Sequence, residues 1–349
     1  MPVPTLETSI QTKQRRPRYR RVGVGERPAL KLTDRDRELL KHIYDHRFIT
    51  AAMLQDLVEP PQLTQRQQEA VARLIAARRA RASSAGESGE PPTRTRREIQ
   101  RRLQALYHHG YVERHKLSDH DPIVYALGNR GADEITLHYG IDRKKIDWTS
   151  KNRETHERYI HHTLMVSRFR HALTLTLRTR PGAGLTYWEL SGSFKVSTKY
   201  QEERMVRDRE GERTAIVDVP VTVIPDAYFC LQDGQDSMYF FLEADRSTMT
   251  NDRFCQKLVS YYKFWQYEIY RKPENRYQLP SFRVLTLTIS KERRDNLRAV
   301  ARTVDDKQRG TGLFWFLCEK DYQDTPERLF EPLWQTARDD RMRGLLEDS

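Results

Sequence analysis

At 349 residues, with 37% hydrophobic, 10% aromatic and 32% charged content, the chain is long enough for two folded units, each burying its own core. The formal charge of +12 is concentrated: residues 1–30 hold seven Lys/Arg against two acids, residues 71–110 hold nine against three, and the remainder is close to neutral. Localised basicity of this kind points to a phosphate-backbone partner, while a membrane span, a secretory signal core and a disulfide framework all lack their residues.

Residues 1–30 carry Arg15, Arg16, Arg18, Arg20 and Arg21 among prolines and few apolar residues. They read as a disordered basic arm, with Arg18, Arg20 and Arg21 as candidates for contact with DNA backbone. Thr33 then caps a helix with Asp34 and Asp36 in its first turn and Leu39, Leu40, Ile43 and Tyr44 as its apolar stripe. Thr50 caps a second, short helix through Met53, Leu54 and Leu57, which Pro60 and Pro61 stop. Residues 59–92 read as an insertion, helical over Thr64 to Arg81 and loop-like in the Ser/Gly/Glu/Pro stretch that follows.

Thr95 is the expected cap of the next helix, whose apolar side is Ile99, Leu103, Leu106 and Tyr107. At 100° per residue, Arg97, Arg101, Gln104 and His108 project from the opposite side, and Arg94 and Arg96, on either side of the cap, are further candidates for contact with DNA. Gly110 ends this helix. Strands at Tyr111 to Lys116 and Ile123 to Leu127 follow, and then a short helix near Gly131 to Tyr139. Helix, short helix, basic helix and two-stranded wing, over residues 31–140, is the order of a winged helix-turn-helix, in which the third helix enters the major groove of double-stranded DNA.

Residues 141–153 are polar and read as a linker to a second unit, 154–349. A helix is expected from His156 to Leu177. Its His161 and His162 point about 100° apart and cannot chelate one metal together. Strands are expected at Leu185 to Leu190 and Val217 to Val223, with Tyr200 to Glu212 as a charged excursion between them. A β-hairpin then spans Ala227 to Leu242 around Asp233-Gly234. If its register centres on Gly234-Gln235, Asp226 and Glu243 oppose each other, with Cβ atoms about 4.5–5.5 Å apart. Two carboxylates that close require a proton or a cation between them, and hard oxygen ligands suit Mg²⁺ or Mn²⁺. Asp245 is a further candidate ligand. Phe254, Leu258, Tyr261, Tyr262 and Trp265 mark a following helix, and Lys257 in its first turns can point back at the carboxylates. Beyond lie a strand at Phe282 to Ile289, a Ser290-capped helix, a strand at Leu313 to Cys318 and an amphipathic helix from Pro326 to Arg338.

The order helix, three strands, helix, strand resembles the PD-(D/E)XK nuclease-like core, with Pro225-Asp226 and Glu243-Ala244-Asp245 in that motif's places. More specifically, LTDRDRELLKHIYDHRFITAAMLQDL, RREIQRRLQALYHHGYVER and VYALGNRGADEI, joined to PDAYF and FFLEADRST, are similar to the replication-relaxation family. That resemblance implies an α+β chain, a winged helix followed by an α/β nuclease-like domain with a mixed sheet, belonging to a plasmid or other mobile element. It departs from the nuclease motif at Asp245, where the motif has Lys. Either Lys257 supplies that cation from the helix, as migrated lysines do in some nuclease-like proteins, or the cation is absent and the fold is inactive. Glu154 or Glu157 reads first as a surface acid at a helix start and second as a third metal ligand.

Two functions follow. In the first, the winged helix binds DNA in replication, relaxation or transfer control, and the C-terminal unit docks replication or transfer proteins or a second copy in a homodimer. In the second, Asp226, Glu243 and Lys257 are the catalytic residues of an Mg- or Mn-dependent endonuclease or nickase. No GxxxxGK[ST], HExxH, CxxC or HxH pattern occurs, so ATPase, zincin, zinc-finger and histidine-cluster relaxase chemistries lack their residues. Cys230, Cys255 and Cys318 read as reduced core residues of a cytoplasmic protein.

Overall fold

The computed structural model describes residues 21–58 apart from 24, 26 and 28, residues 94–146, and residues 155–347 apart from 181, 191, 192, 209 and 210. The arm with Arg18 and Arg20, the insertion at 59–92, most of the linker and Glu154 lie outside them. Among the described residues the fold is mixed α+β, with seven α-helices, a seven-stranded mixed sheet and two smaller sheets.

Helix α1 (Asp34–His46) starts at a capping box, in which the Thr33 hydroxyl accepts from the amide of Asp36 and the Asp36 carboxylate accepts from that of Thr33. It ends where Arg47 takes φ +63, turning Phe48 and Ile49 inward. Strand β1 (Ile49–Thr50) leads into α2 (Ala51–Leu57), capped by Thr50. Helix α3 (Arg94–His108) begins one residue before its expected cap, and Gly110 at φ +80 turns the chain into β2 (Val112–His115). With β3 (Val124–Leu127), these strands form a three-stranded sheet in the order β1-β3-β2. Helix α4 (Asn129–Tyr139) passes so close to the backbone of Tyr111 that a Cβ on Gly131 would lie 2.1 Å from its carbonyl oxygen.

Helix α5 (Glu157–Arg178) serves two cores. Ile160 and Leu164 belong to the cluster built by α1 to α4, while Met165, Val166, Phe169, Ala172 and Leu173 pack on the large sheet. Its C-terminal half also ties the units together: Arg170 lies 3.5 Å from the Asp45 carboxylate, and Arg178 donates to the Asp56 carbonyl at 2.8 Å.

The large sheet gathers β4 (Ala183–Leu190), β7 (Ala227–Asp233), β8 (Asp236–Asp245), β9 (Arg283–Thr288), β10 (Phe314–Cys318), β11 (Trp334–Thr336) and β12 (Met342–Arg343). Their order is β12-β11-β10-β9-β8-β7-β4, with β8, β9 and β10 parallel and the remaining pairs antiparallel. Helix α5 covers one face. Helices α6 (Asn251–Gln266) and α7 (Lys291–Arg302), capped by Thr250 and Ser290, contribute to the core on the other. The β7–β8 hairpin has the register expected from its turn, from Ala227↔Leu242 to Asp233↔Asp236, with Gly234 at φ +62.

Four expectations are corrected. The segment 200–212 is not an excursion: β5 (Val196–Asp208) and β6 (Gly211–Val223) form a separate two-stranded ribbon, so Val217 to Val223 is not part of the large sheet. No α-helix spans 326–338, which holds a 3-10 turn at Pro326–Phe330 and then β11. Pro332 has no amide to donate and disfavours helical backbone at Glu331. Trp265 is 41% exposed, and Phe264 takes the core position. Ile146, in the supposed linker, is fully buried.

Candidate functional site

Helix α3 is sharply two-sided. Ile99, Leu103, Leu106 and Tyr107 are buried, whereas Arg96, Arg97, Arg101 and Gln104 are exposed. Arg102, between these faces, donates to both carboxylate oxygens of Asp36 and to the Lys31 carbonyl, tying α3 to the start of α1. Asp36 is 1% exposed; burial would raise its carboxyl, but Arg102 and Thr33 outweigh that and hold it below its ordinary value.

Two residues expected to meet DNA, His108 on the basic face and Arg21 on the arm, are held elsewhere. His108 is 5% exposed, because the chain at Val22 lies over it and donates its amide to Nδ1 at 3.3 Å. Arg21 is docked rather than free, with Nε on the Tyr107 carbonyl at 2.8 Å, Nη2 on Glu113 at 2.8 Å and its guanidinium 5.1 Å from the Tyr107 ring centre.

The second candidate lies at the C-terminal end of β8. Asp226 immediately precedes β7, its amide donating to the Leu242 carbonyl at 2.9 Å and its Oδ2 accepting from Ala244 at 2.9 Å. This brings it beside Glu243, which faces α6. There Lys257 pairs with Oε2 of Glu243, and Tyr261, one turn later, donates to Oε1. From the first turns of α5, His162 Nε2 reaches Asp226 Oδ1 at 3.1 Å. The structure thus brings Asp226, Glu243 and Lys257 together and adds His162 and Tyr261. Tyr261 was legible as the i+4 neighbour of Lys257. His161 and His162 do point to different partners, and His161 lies 3.9 Å from the exposed Glu157.

The cluster balances its own charge. Burial opposes ionisation of Asp226, but His162, Lys257 and the Ala244 amide outweigh it and hold the carboxyl below its ordinary value. Burial, reinforced by Asp226 and only partly offset by Lys257, pushes Glu243 up to about 7. Burial also disfavours the cations of His162 and Lys257, yet the carboxylates outweigh it and raise both. Burial and Glu243 push the Tyr261 phenol well above its ordinary value.

The donor oxygens of this set are taken up by the chain's own groups. Each oxygen of Asp226 and Glu243 already accepts from the chain, two basic side chains face two acids, and Glu243 is 3% exposed. Asp245 is clamped by Arg293 on α7, at 2.8 and 3.0 Å. Among the described residues no group of three or more His, Cys, Asp and Glu is placed to hold a metal. The three cysteines are free, with Cys230 and Cys318 buried. No described helix is long and apolar enough to cross a membrane.

A family model described as Replication-relaxation matches residues 80–278, more than half the chain, a span that holds both α3 and the Asp226–Glu243–Lys257 cluster. No curated protein and no solved structure matches.

Proposed function

The chain belongs to the replication-relaxation family, which points to replication or relaxation of mobile genetic elements, and from that premise we propose that it is a duplex-DNA-binding protein of a plasmid or similar element. In this reading residues 31–140 are a winged helix that lays α3 in the major groove, and the unit from 154 onward is a nuclease-like scaffold that docks partner proteins. One observation carries the proposal: α3 buries Ile99, Leu103 and Leu106 while exposing Arg96, Arg97, Arg101 and Gln104 together. Arginine pairs bidentately with guanine and glutamine with adenine, so this face offers donors of the kinds that read base edges. The strand between the first two helices and the hairpin after the third support a wing beside that helix.

The order α5, β4, β7, β8, α6, β9 supports the nuclease-like reading of the C-terminal unit. The meeting of Asp226, Glu243 and Lys257 favours a second function, a metal-dependent nickase, and nicking of supercoiled plasmid with Mg²⁺ or Mn²⁺ is its test. It stands second because the cluster neutralises itself. The first function is tested by fluorescence anisotropy of the full chain on duplex DNA from its own element across a salt series. The expected log K falls linearly with log[salt], as counterion release requires. Absence of binding at low salt contradicts it.

A further inference from the structure

Among the described residues, strands β5 and β6 pair with each other and with no other strand, from Val196↔Val223 to Asp208↔Gly211. The base of this ribbon is anchored on the body of the protein. Tyr200 stacks on Tyr267 with ring centres 4.3 Å apart, and Lys263 lies 3.7 Å from Glu202. Beyond Glu202 the ribbon is in solvent: Glu203, Arg204, Arg207 and Glu212 are exposed, and Met205 and Ile216 are each 66% exposed. A two-stranded ribbon is marginal on its own in water, and an open edge presents unpaired amides and carbonyls to another strand.

We propose that a second copy of this chain covers the ribbon, β5 pairing antiparallel with β5 of the second copy about a two-fold axis at Met205. Strand alternation puts Glu203, Met205 and Arg207 on one face. In an antiparallel pair centred on Met205, the two methionines oppose each other. Glu203 then opposes Arg207 of the second copy, and Arg207 opposes its Glu203. Centring on Glu203 or on Arg207 instead opposes like charges, which is destabilising. The edge is self-complementary in one of these registers. Pro220 removes a donor from β6, whereas β5 contains no proline, so β5 is the edge that accepts a strand. DNA is the poorer occupant, because residues 196–223 hold five Lys/Arg against six Asp/Glu.

The test uses the full chain. Directly opposed Cα atoms lie within disulfide reach, so Met205→Cys in a Cys255→Ser background should oxidise to a covalent dimer. Gln201→Cys, which does not oppose itself in this register, should not. In a concentration series by light scattering, wild type should dimerise, and Arg207→Glu should weaken the dimer about tenfold or more. Glu203→Arg with Arg207→Glu together should restore it. The substituted side chains of the ribbon are exposed and Cys255→Ser changes one atom of a half-buried side chain, so circular dichroism of each variant should match wild type. A monomer at every concentration overturns the proposal. So does equal cross-linking of the two cysteine variants, or a double charge variant no tighter than Arg207→Glu alone.

Discussion

Lys257 places its ammonium on one oxygen of Glu243, a carboxylate that is 3% exposed and whose other oxygen is held by Tyr261. Removing one member of a buried pair leaves the other uncompensated, typically at a cost of about 3–5 kcal/mol. Lys257→Met should therefore lower the melting temperature sharply, and Glu243→Gln in the same chain should return much of the loss. Because the pair already supplies the counter-ion, Mn²⁺ should leave wild-type melting unchanged. A rise with Mn²⁺ that Asp226→Asn abolishes would show that a cation displaces the lysine.

Arg102 is a structural arginine on a helix proposed to face DNA. Its loss would strip the buried Asp36 of its cation and untie α1 from α3. Arg102→Leu should cost about 2 kcal/mol in urea denaturation, discounted because Arg102 is partly solvated. Arg97→Ala should cost almost nothing. Equal stability of the two variants would contradict the distinction.

Acid should destabilise the junction of the two units. Burial pushes His42 down to about 4 and His46 well below its ordinary 6.5. Between pH 6.5 and 4 the unfolded chain therefore binds more protons than the folded one, and stability falls as pH drops through that window. His162 works with the opposite sign: its raised value contributes stability below 6.5 that is lost as pH rises through the folded value. His42→Gln should flatten the melting-temperature profile between pH 4 and 6.5. An unchanged slope would mean that His42 titrates alike in both states.

Residues 1–20 should add affinity without sequence preference. Arg21 is fixed on Tyr107 and Glu113, so the cut belongs before it. The shortened chain should bind all duplexes more weakly, with a shallower salt slope. Altered site preference at an unchanged slope would show that the arm reads bases.

What the sequence made legible had local causes. Thr33, Thr50 and Ser290 announce helix starts because their hydroxyls meet backbone amides three residues on. The hairpin register follows from Asp233-Gly234, and that register placed Asp226 beside Glu243. The rest depended on distant contacts. The β5–β6 ribbon carries charges on both faces because its outer half has solvent on both sides, so no apolar alternation marks it. His108 has the helical phase of the basic face but is covered by Val22, 86 residues away in sequence. The helix expected at 326–338 had amphipathic spacing, but Pro332 should have overruled it.

The most direct measurement is a gel-shift titration of Arg97→Ala with Arg101→Ala on duplex DNA from the protein's own element, with circular dichroism to establish that the variant is folded. Each arginine that pairs with a base is worth about 1–3 kcal/mol, so specific binding should weaken by about thirtyfold or more while weak, salt-sensitive binding persists. Undiminished affinity of the folded double variant would contradict the assignment of α3 as the DNA-reading helix.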